Sequence, residues 1–405
     1  MQMLTQEKVR LIQEAMREEQ LEGWLFYNFR GSNIFATRIL AIPSHIMQTR
    51  RYFYFIPAQG APKKLVHSIE QFNLDSLPGD KTIYASWQSL EEGLRKILAG
   101  TKRVAMEYSP RNAVPYVSNV DAGTVELVRS LGVEVVTSAN LVQRFEACWD
   151  DEQAQDNLET AKHLRAIVDL TFGFIKQRIT SNAPVTEYDV QQYMLSEFRK
   201  RYIKTESDPN CSVNANSANP HYEPTQEIHS PLGKGDFVLL DLWAKKDKPR
   251  SVYADITWTG YIGETVPEEY AKIFEIVKGG RDAALSFVQR SFEAGRGICG
   301  YQVDDAARTY IESKGYGEYF VHRTGHSIGE EIHGNGANID NLETRDERRI
   351  IPQTSFSIEP GIYLPGKYGV RSEIDVYISK SREVIVTGLP MQEEVIPILQ
   401  ETQRR

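Results

Sequence analysis

The sequence is poor in cysteine and lacks any long apolar run. Its 405 residues include only Cys148, Cys211 and Cys299, which are far apart and form no CxxC pair. A thiolate zinc site or a disulfide framework is therefore not expected, and a reducing compartment fits best. No stretch is apolar over the roughly 20 residues that a membrane-spanning helix needs. Charges also interrupt the N-terminal segment too often for a signal peptide. We expect a cytoplasmic protein with no membrane partner.

Positive charge is also in deficit, with 47 Lys and Arg against 55 Asp and Glu and a formal net charge of −8. Nucleic acids and anionic lipid surfaces attract basic proteins, so neither is an expected partner. Cations remain as the class of partner that this charge balance favours.

The length exceeds the range in which a single core keeps growing, which favours two domains. Residues 1–150 alternate short apolar strands with amphipathic helices, the pattern of an α/β domain. Residues 151–405 begin with a long helical segment and continue as an α+β domain, with helices on a mainly hairpin-connected sheet. In this part Thr186 and Asp189 have the spacing of a capping box at a helix start.

Two carboxylates interrupt otherwise apolar strands. Asp241 lies in the middle of the apolar run 237–243, and Asp255 lies similarly in 252–258. A charged turn between them predicts a hairpin, which would bring both carboxylates to one place. A buried carboxylate must be neutralised, paired or bound to a cation. Either acid alone could be a simple salt bridge.

Further acids follow towards the C-terminus. Glu359 ends the predicted strand 355–359. In the segment 369–378 the period of two puts Arg371, Glu373 and Asp375 on one strand face. An ordinary half-solvated strand has the same alternation, so this pattern is only suggestive. If the acids converge, their mutual repulsion favours a bound cation.

Three histidines cluster in the sequence as His322, His326 and His333. The intervening Gly325 and Gly329 argue for a strand or loop that other groups approach closely. A lone histidine is more often structural than a ligand, whereas three at this spacing indicate a site.

Two other motifs have little weight by themselves. His221 lies in the Asn- and Pro-rich loop 214–224, where histidines are usually just solvated. The literal GxGxxG at 295–300 follows a helix instead of a strand, so a turn is a better interpretation than a dinucleotide site.

Taken together, these motifs resemble the pita-bread metallopeptidases of family M24, and within them the Xaa-Pro peptidases, aminopeptidase P and prolidase. The resemblance rests on the segments LLDLWA, YADITWTG, HRTGHSIG, SIEPGIY and VRSEIDV. The resemblance implies a pita-bread catalytic domain over 151–405 and a creatinase-like domain over 1–150. It also implies five metal ligands in the family's chain order: Asp241, Asp255, His326, Glu359 and Glu373.

The resemblance further implies a reaction. Two divalent ions per chain, with Mn favoured and Co, Zn or Fe as alternatives, would activate a bridging hydroxide that cleaves the bond before proline. Glu359 would act as general base and acid. The accessory catalytic residues are implied to be His221, His322, His333 and Arg371. The expected partners are a peptide substrate and a second copy of the chain in a homodimer.

The chain departs from the family pattern at Trp243, Trp258 and Gly334, which we expect to line the substrate pocket. Three alternatives stay open. One is a pita-bread hydrolase with another substrate, such as a methionine aminopeptidase or a creatinase. Another is a pita-bread binding protein without catalysis. Within the Xaa-Pro peptidases, dipeptidase and aminopeptidase activity remain equally open.

Overall fold

A computed structural model of the chain describes residues 5–43 and 45–401. They form two compact units that divide between Glu146 and Ala147, four residues before the boundary predicted at 150. The intervening residues belong to the second unit because Trp149 stacks on Tyr377, with ring centroids 5.2 Å apart. Cys211 and Cys299 are free thiols. Across the described ranges, no helix is both long and apolar enough to cross a membrane.

The first unit is an α/β domain. Its elements are α1 Gln6–Glu18, β1 Gly23–Asn28, α2 Ile34–Ile39, β2 Tyr52–Pro57, β3 Lys63–His67, β4 Asp80–Tyr84, α3 Trp87–Ile97, β5 Arg103–Met106, α4 Ala122–Ser130, β6 Glu134–Thr137 and α5 Ala139–Glu146. The sheet has the order β4-β3-β2-β1-β5-β6.

The central strand of this sheet, β1, is buried on both faces. Along β1, Trp24 and Phe26 pack into one apolar cluster with α1, α2 and α5. The alternate residues Leu25 and Tyr27 pack into a second cluster with α3 and α4. This is the layering expected of a mixed sheet covered by helices.

The second unit is α+β. Its elements are α6 Asp151–Thr180, α7 Glu187–Lys200, β7 Ile203–Lys204, β8 Asn210–Val213, β9 Phe237–Lys246, β10 Ala254–Tyr261, α8 Glu268–Glu293, α9 Gly300–Ser313, β11 Ser327–Ile328, β12 Ser355–Ile358, β13 Gly361–Leu364, β14 Tyr368–Arg371, β15 Ile374–Ile378, β16 Val384–Val386 and β17 Ile396–Pro397. The predicted capping box at Thr186 and Asp189 is confirmed at the start of α7.

The strands of this unit form two sheets and a separate hairpin, so the prediction of one sheet was wrong. One sheet has the order β17-β10-β9-β7, with β8 also paired to β9; the other has the order β11-β12-β15-β16; β13 and β14 make the hairpin. The backbone N–H of Asp255 on β10 donates to Oδ2 of Asp375 on β15 at 2.8 Å and so links the two sheets.

The segment 369–378 also differs from the half-solvated strand that its alternation suggested. The segment is two strands, β14 and β15, separated at Ser372 and Glu373. Every residue of both strands is buried. Packing between distant elements buries its polar face, and a local period of two contains no information about that.

Candidate metal centre

The hairpin of β9 and β10 brings Asp241 and Asp255 to one face. In its register Asp255 lies opposite Trp243, and Thr257 lies opposite Asp241. Directly opposed residues of an antiparallel pair share a face, as do residues two apart on one strand. The two carboxylates are thus diagonal neighbours, as the sequence predicted.

The buried hydroxyl of Thr257 on β10 links Asp241 to Glu373, the last proposed ligand along the chain. Oγ1 of Thr257 lies 2.9 Å from Oδ1 of Asp241 and 2.6 Å from Oε2 of Glu373. Nε of Arg371 donates to the same hydroxyl at 2.9 Å. The Arg371 guanidinium also pairs with Oδ2 of Asp241. Thr257 therefore fixes three charged groups relative to each other.

The second sheet contributes His326 and Glu359. His326 precedes β11, Glu359 follows β12, and Ser357 bonds both, accepting from the His326 N–H at 3.0 Å and donating to Oε1 of Glu359 at 3.2 Å. The chain passes closely here because a Cβ at Gly325 would lie 1.9 Å from the Ser357 carbonyl oxygen. That confirms the close approach predicted at Gly325. At Gly329 the same prediction is wrong, since the nearest atom to an added Cβ would be 3.7 Å away.

The five proposed ligands converge. Nε2 of His326 lies 3.4 Å from Oε1 of Glu359 and 3.7 Å from Oδ2 of Asp255. Ligand atoms of Asp255, His326 and Glu373 all lie within 4.8 Å of one another, and these three residues are buried.

The donor atoms fit a cation. Oδ1 of Asp255 and Oε1 of Glu373 are buried and have no hydrogen-bond partner among the described residues. A buried carboxylate oxygen without a partner is costly, and a metal ion would satisfy it. Four carboxylates and one imidazole are the donors that Mn, Co, Fe and Zn accept.

The electrostatics of the cluster reflect crowding of negative charge. Burial, followed by repulsion from Glu373 and Asp241, raises the pKa of Asp255 well above its usual value. Burial, followed by repulsion from Glu359 and Asp241, does the same to the pKa of Glu373. Burial lowers the pKa of His326 to about 3, so its imidazole is neutral and able to bind a metal at physiological pH.

Two of the accessory histidines flank this cluster. Nε2 of His322 lies 2.8 Å from the hydroxyl of Tyr363, which Arg371 also approaches at 3.5 Å. Burial lowers the pKa of His322 to about 4. The ring of His333 meets that of His326 edge-on, with centroids 4.5 Å apart. Both histidines are thus neutral neighbours of the proposed ligands.

His221 is the one predicted site residue that the structure leaves outside this set of contacts. It is exposed in the loop after β8, and within the described chain its side chain makes no hydrogen bond. Desolvation, followed by the nearby His326 and Arg323, lowers the pKa of His333 to about 4.

The three departures from the family pattern are not equivalent. Trp243 is partly exposed on the face of Asp255, and its indole N–H donates to Ser207 at 3.1 Å. Trp258 lies on the opposite face, where the Arg165 guanidinium is 3.8 Å from its ring centroid. The expectation that Trp258 lines the pocket was therefore wrong, because α6 covers that face. Gly334 is held by close packing, since a Cβ there would lie 3.0 Å from the Gly329 nitrogen.

The sequence patterns did not point to Thr257 or Tyr363, and Asp375 was not assigned to the site. Thr257 follows Asp255 by two positions, so strand periodicity could have placed it on the same face. Tyr363 lies on the separate hairpin, and no local pattern indicates it. Asp375 is fully buried, and it holds the Asp255 backbone through the hydrogen bond described above.

A sequence model of metallopeptidase family M24 matches residues 159–380, more than half of the chain. The chain belongs to metallopeptidase family M24. The match includes every residue of the converging cluster and both neighbouring histidines.

Individual relatives agree with this assignment. The chain is 29% identical to an Xaa-Pro dipeptidase of Lactobacillus delbrueckii subsp. lactis over 227 residues, which cover 56% of each protein. The match thus spans only about half the length of that curated relative. Over 182 residues, 45% of the chain and 44% of the relative, it is 34% identical to a probable dipeptidase PepE of Mycobacterium bovis.

Among solved structures, dipeptidase PepE of Mycobacterium ulcerans superposes with a TM-score of 0.67 at 21% identity, covering 96% of both chains. The X-prolyl aminopeptidase of Caenorhabditis elegans, described as a cytosolic enzyme with a di-nuclear active site, gives 0.61 at 16% identity. It covers 96% of this chain and 63% of the other. These likenesses show the pita-bread fold that the sequence predicted.

Proposed function

We propose that the chain is a dinuclear metallopeptidase that hydrolyses the bond before proline in Xaa-Pro substrates. The observation that carries the proposal is the convergence of four carboxylates and a neutral histidine, in which two buried carboxylate oxygens have no hydrogen-bond partner among the described residues. Family membership and relatives that are named for Xaa-Pro substrates support the choice of reaction and substrate.

The proposed ligand assignment divides the cluster into two parts. Asp255 and Glu373, each with an oxygen free of hydrogen bonds, would hold both ions. Asp241 would complete one site, and His326 with Glu359 the other. The ions, Mn in our proposal, supply Lewis-acid activation of water and polarisation of the substrate carbonyl when bound.

The remaining steps belong to side chains of the chain. Glu359, the proposed general base, is held through Oε1 by the Ser357 hydroxyl and has a side chain that is 13% exposed. It would take a proton from the attacking water and pass it to the leaving nitrogen. His322 and His333 would stabilise the developing oxyanion or the substrate. Arg371 would orient Asp241, and His221 would contact the substrate near proline. We also propose a cytoplasmic homodimer.

A substrate panel tests this function. Metal-stripped protein is reloaded with Mn and offered Xaa-Pro dipeptides, Xaa-Pro-Yaa tripeptides and matched Xaa-Ala peptides. We expect cleavage of proline substrates only, and the ratio of dipeptide to tripeptide turnover separates dipeptidase from aminopeptidase. Glu359→Gln serves as the inactive control. Equal cleavage of the Xaa-Ala peptides would favour a general dipeptidase, and no cleavage at all would favour the non-catalytic alternative.

A further inference from the structure

One of the buried carboxylates outside the metal centre lies at the start of α7. Glu187 is 0% exposed, and its own N–H donates to the Ser230 carbonyl at 3.0 Å. Four groups of the segment 213–230 donate hydrogen bonds to its carboxylate: the Val213 N–H at 2.7 Å, the Asn216 side-chain amide at 2.9 Å, the Ser230 N–H at 2.6 Å and the Tyr222 hydroxyl. One side chain thus holds both ends and the middle of this segment.

The opposite side of the same segment is fixed to the strand that leads to the metal centre. The Gly369 N–H donates to the Ser217 hydroxyl at 2.9 Å. A Cβ at Gly369 would lie 2.1 Å from the Ser217 carbonyl oxygen, so only glycine lets the two backbones pass this closely. Gly369 belongs to β14, which ends at Arg371. The segment is therefore held between Glu187 and the strand of Arg371.

His221 depends on this arrangement for its position. Its side chain has no hydrogen bond in the described chain, whereas the next residue, Tyr222, is fixed by Glu187. Burial and the adjacent Glu187 carboxylate raise the pKa of Tyr222, so its phenol stays a hydrogen-bond donor at neutral pH.

We infer that Glu187 is a positioning residue, which holds His221 in place for substrate binding through Tyr222 and the two ends of the segment. The inference rests on the proposed function, because it takes His221 as a substrate contact. It assigns Glu187 no contact with substrate or metal. A carboxylate suits this task, because its two oxygens can accept several hydrogen bonds at once.

The test is a double-mutant cycle on Xaa-Pro hydrolysis by the metal-loaded protein. Tyr222→Phe removes one hydrogen bond to a charged group, and it should raise KM about tenfold with a smaller change in kcat. His221→Ala should raise KM similarly. If Glu187 acts through His221, Tyr222→Phe should raise KM less than about twofold further in the His221→Ala background. Effects that multiply would overturn the inference.

A second measurement needs no substrate. Glu187→Gln should speed hydrogen exchange at the Val213 and Ser230 amides about tenfold, because one amide oxygen cannot serve both ends of the segment. Glu197→Gln is the matched control: Glu197 is also a buried acid of α7, and it pairs instead with Lys200 and Arg201. It should change neither KM nor these exchange rates.

Unchanged exchange in Glu187→Gln, or a raised KM in Glu197→Gln, would contradict the inference. All variants should retain the metal content of the wild-type protein. If only the inference is wrong, the wild-type protein still hydrolyses Xaa-Pro substrates. If the proposed function is wrong, the wild-type protein itself does not hydrolyse them.

Discussion

Thr257→Val should weaken metal binding without changing any proposed ligand. The substitution replaces a fully buried hydroxyl by a methyl group of similar size. The hydroxyl has one proton to donate, towards Asp241 at 2.9 Å or Glu373 at 2.6 Å, and it accepts from Arg371 at 2.9 Å. Two hydrogen bonds to charged groups are therefore lost, each worth about 1.5–3 kcal/mol. Groups that orient metal ligands typically contribute about 10–100-fold to affinity.

The assay is calorimetric titration of the metal-stripped protein with Mn²⁺. We expect the affinity of Thr257→Val to fall within that 10–100-fold range while the far-UV spectrum stays the same. Thr259→Val is the matched control, because Thr259 is equally buried on the same strand face but bonds to Gln392, outside the cluster. Wild-type affinity in Thr257→Val, or an equal loss in both variants, would refute the reasoning.

Three further predictions concern the same unit. Glu373→Gln should stabilise the metal-free protein at pH 8, because the pKa of Glu373 is raised on folding and ionising it there costs stability. The stability advantage of the variant should shrink as the pH falls through the raised pKa, because the wild-type carboxyl is then neutral too. Urea unfolding in EDTA at pH 8 and pH 5 measures this difference, and a loss of stability in the variant at pH 8 would contradict the prediction. Asp304→Ala removes the carboxylate that pairs with Arg308 and accepts two bonds from Thr324, so urea unfolding should show a loss of about 3–5 kcal/mol, and a change under about 1 kcal/mol would be inconsistent with those contacts. His326→Ala should abolish Xaa-Pro hydrolysis with the far-UV spectrum unchanged, whereas retained activity would remove His326 from the site.

Part of the site could be predicted from the sequence because its carboxylates interrupt strands that are otherwise apolar. Asp241 and Asp255 stand out as charges in apolar runs, and the charged turn between them implies a hairpin. The actual register, with Asp255 opposite Trp243, needed the structure. A threonine in a strand is unremarkable by itself, so nothing in the sequence marked Thr257 as the group between two carboxylates.

The remaining ligands are joined by contacts between distant elements. Glu359 and His326 meet because two backbones pass closely at Gly325, and no local period predicts this. From the sequence, only the resemblance to a family indicated that Glu359 and His326 belong to one site. Trp258 was misplaced because its expected role rested on its place in the family pattern, whereas strand alternation puts it on the face opposite Asp255.

The central claim is that one buried cluster holds two divalent ions. Its most direct test is the metal content of purified protein after Mn loading and removal of free metal, measured by elemental analysis alongside Glu373→Gln. We predict about two ions per chain in the wild-type protein and at most one in the variant. No bound metal in the wild-type protein, or two ions retained in Glu373→Gln, would contradict it.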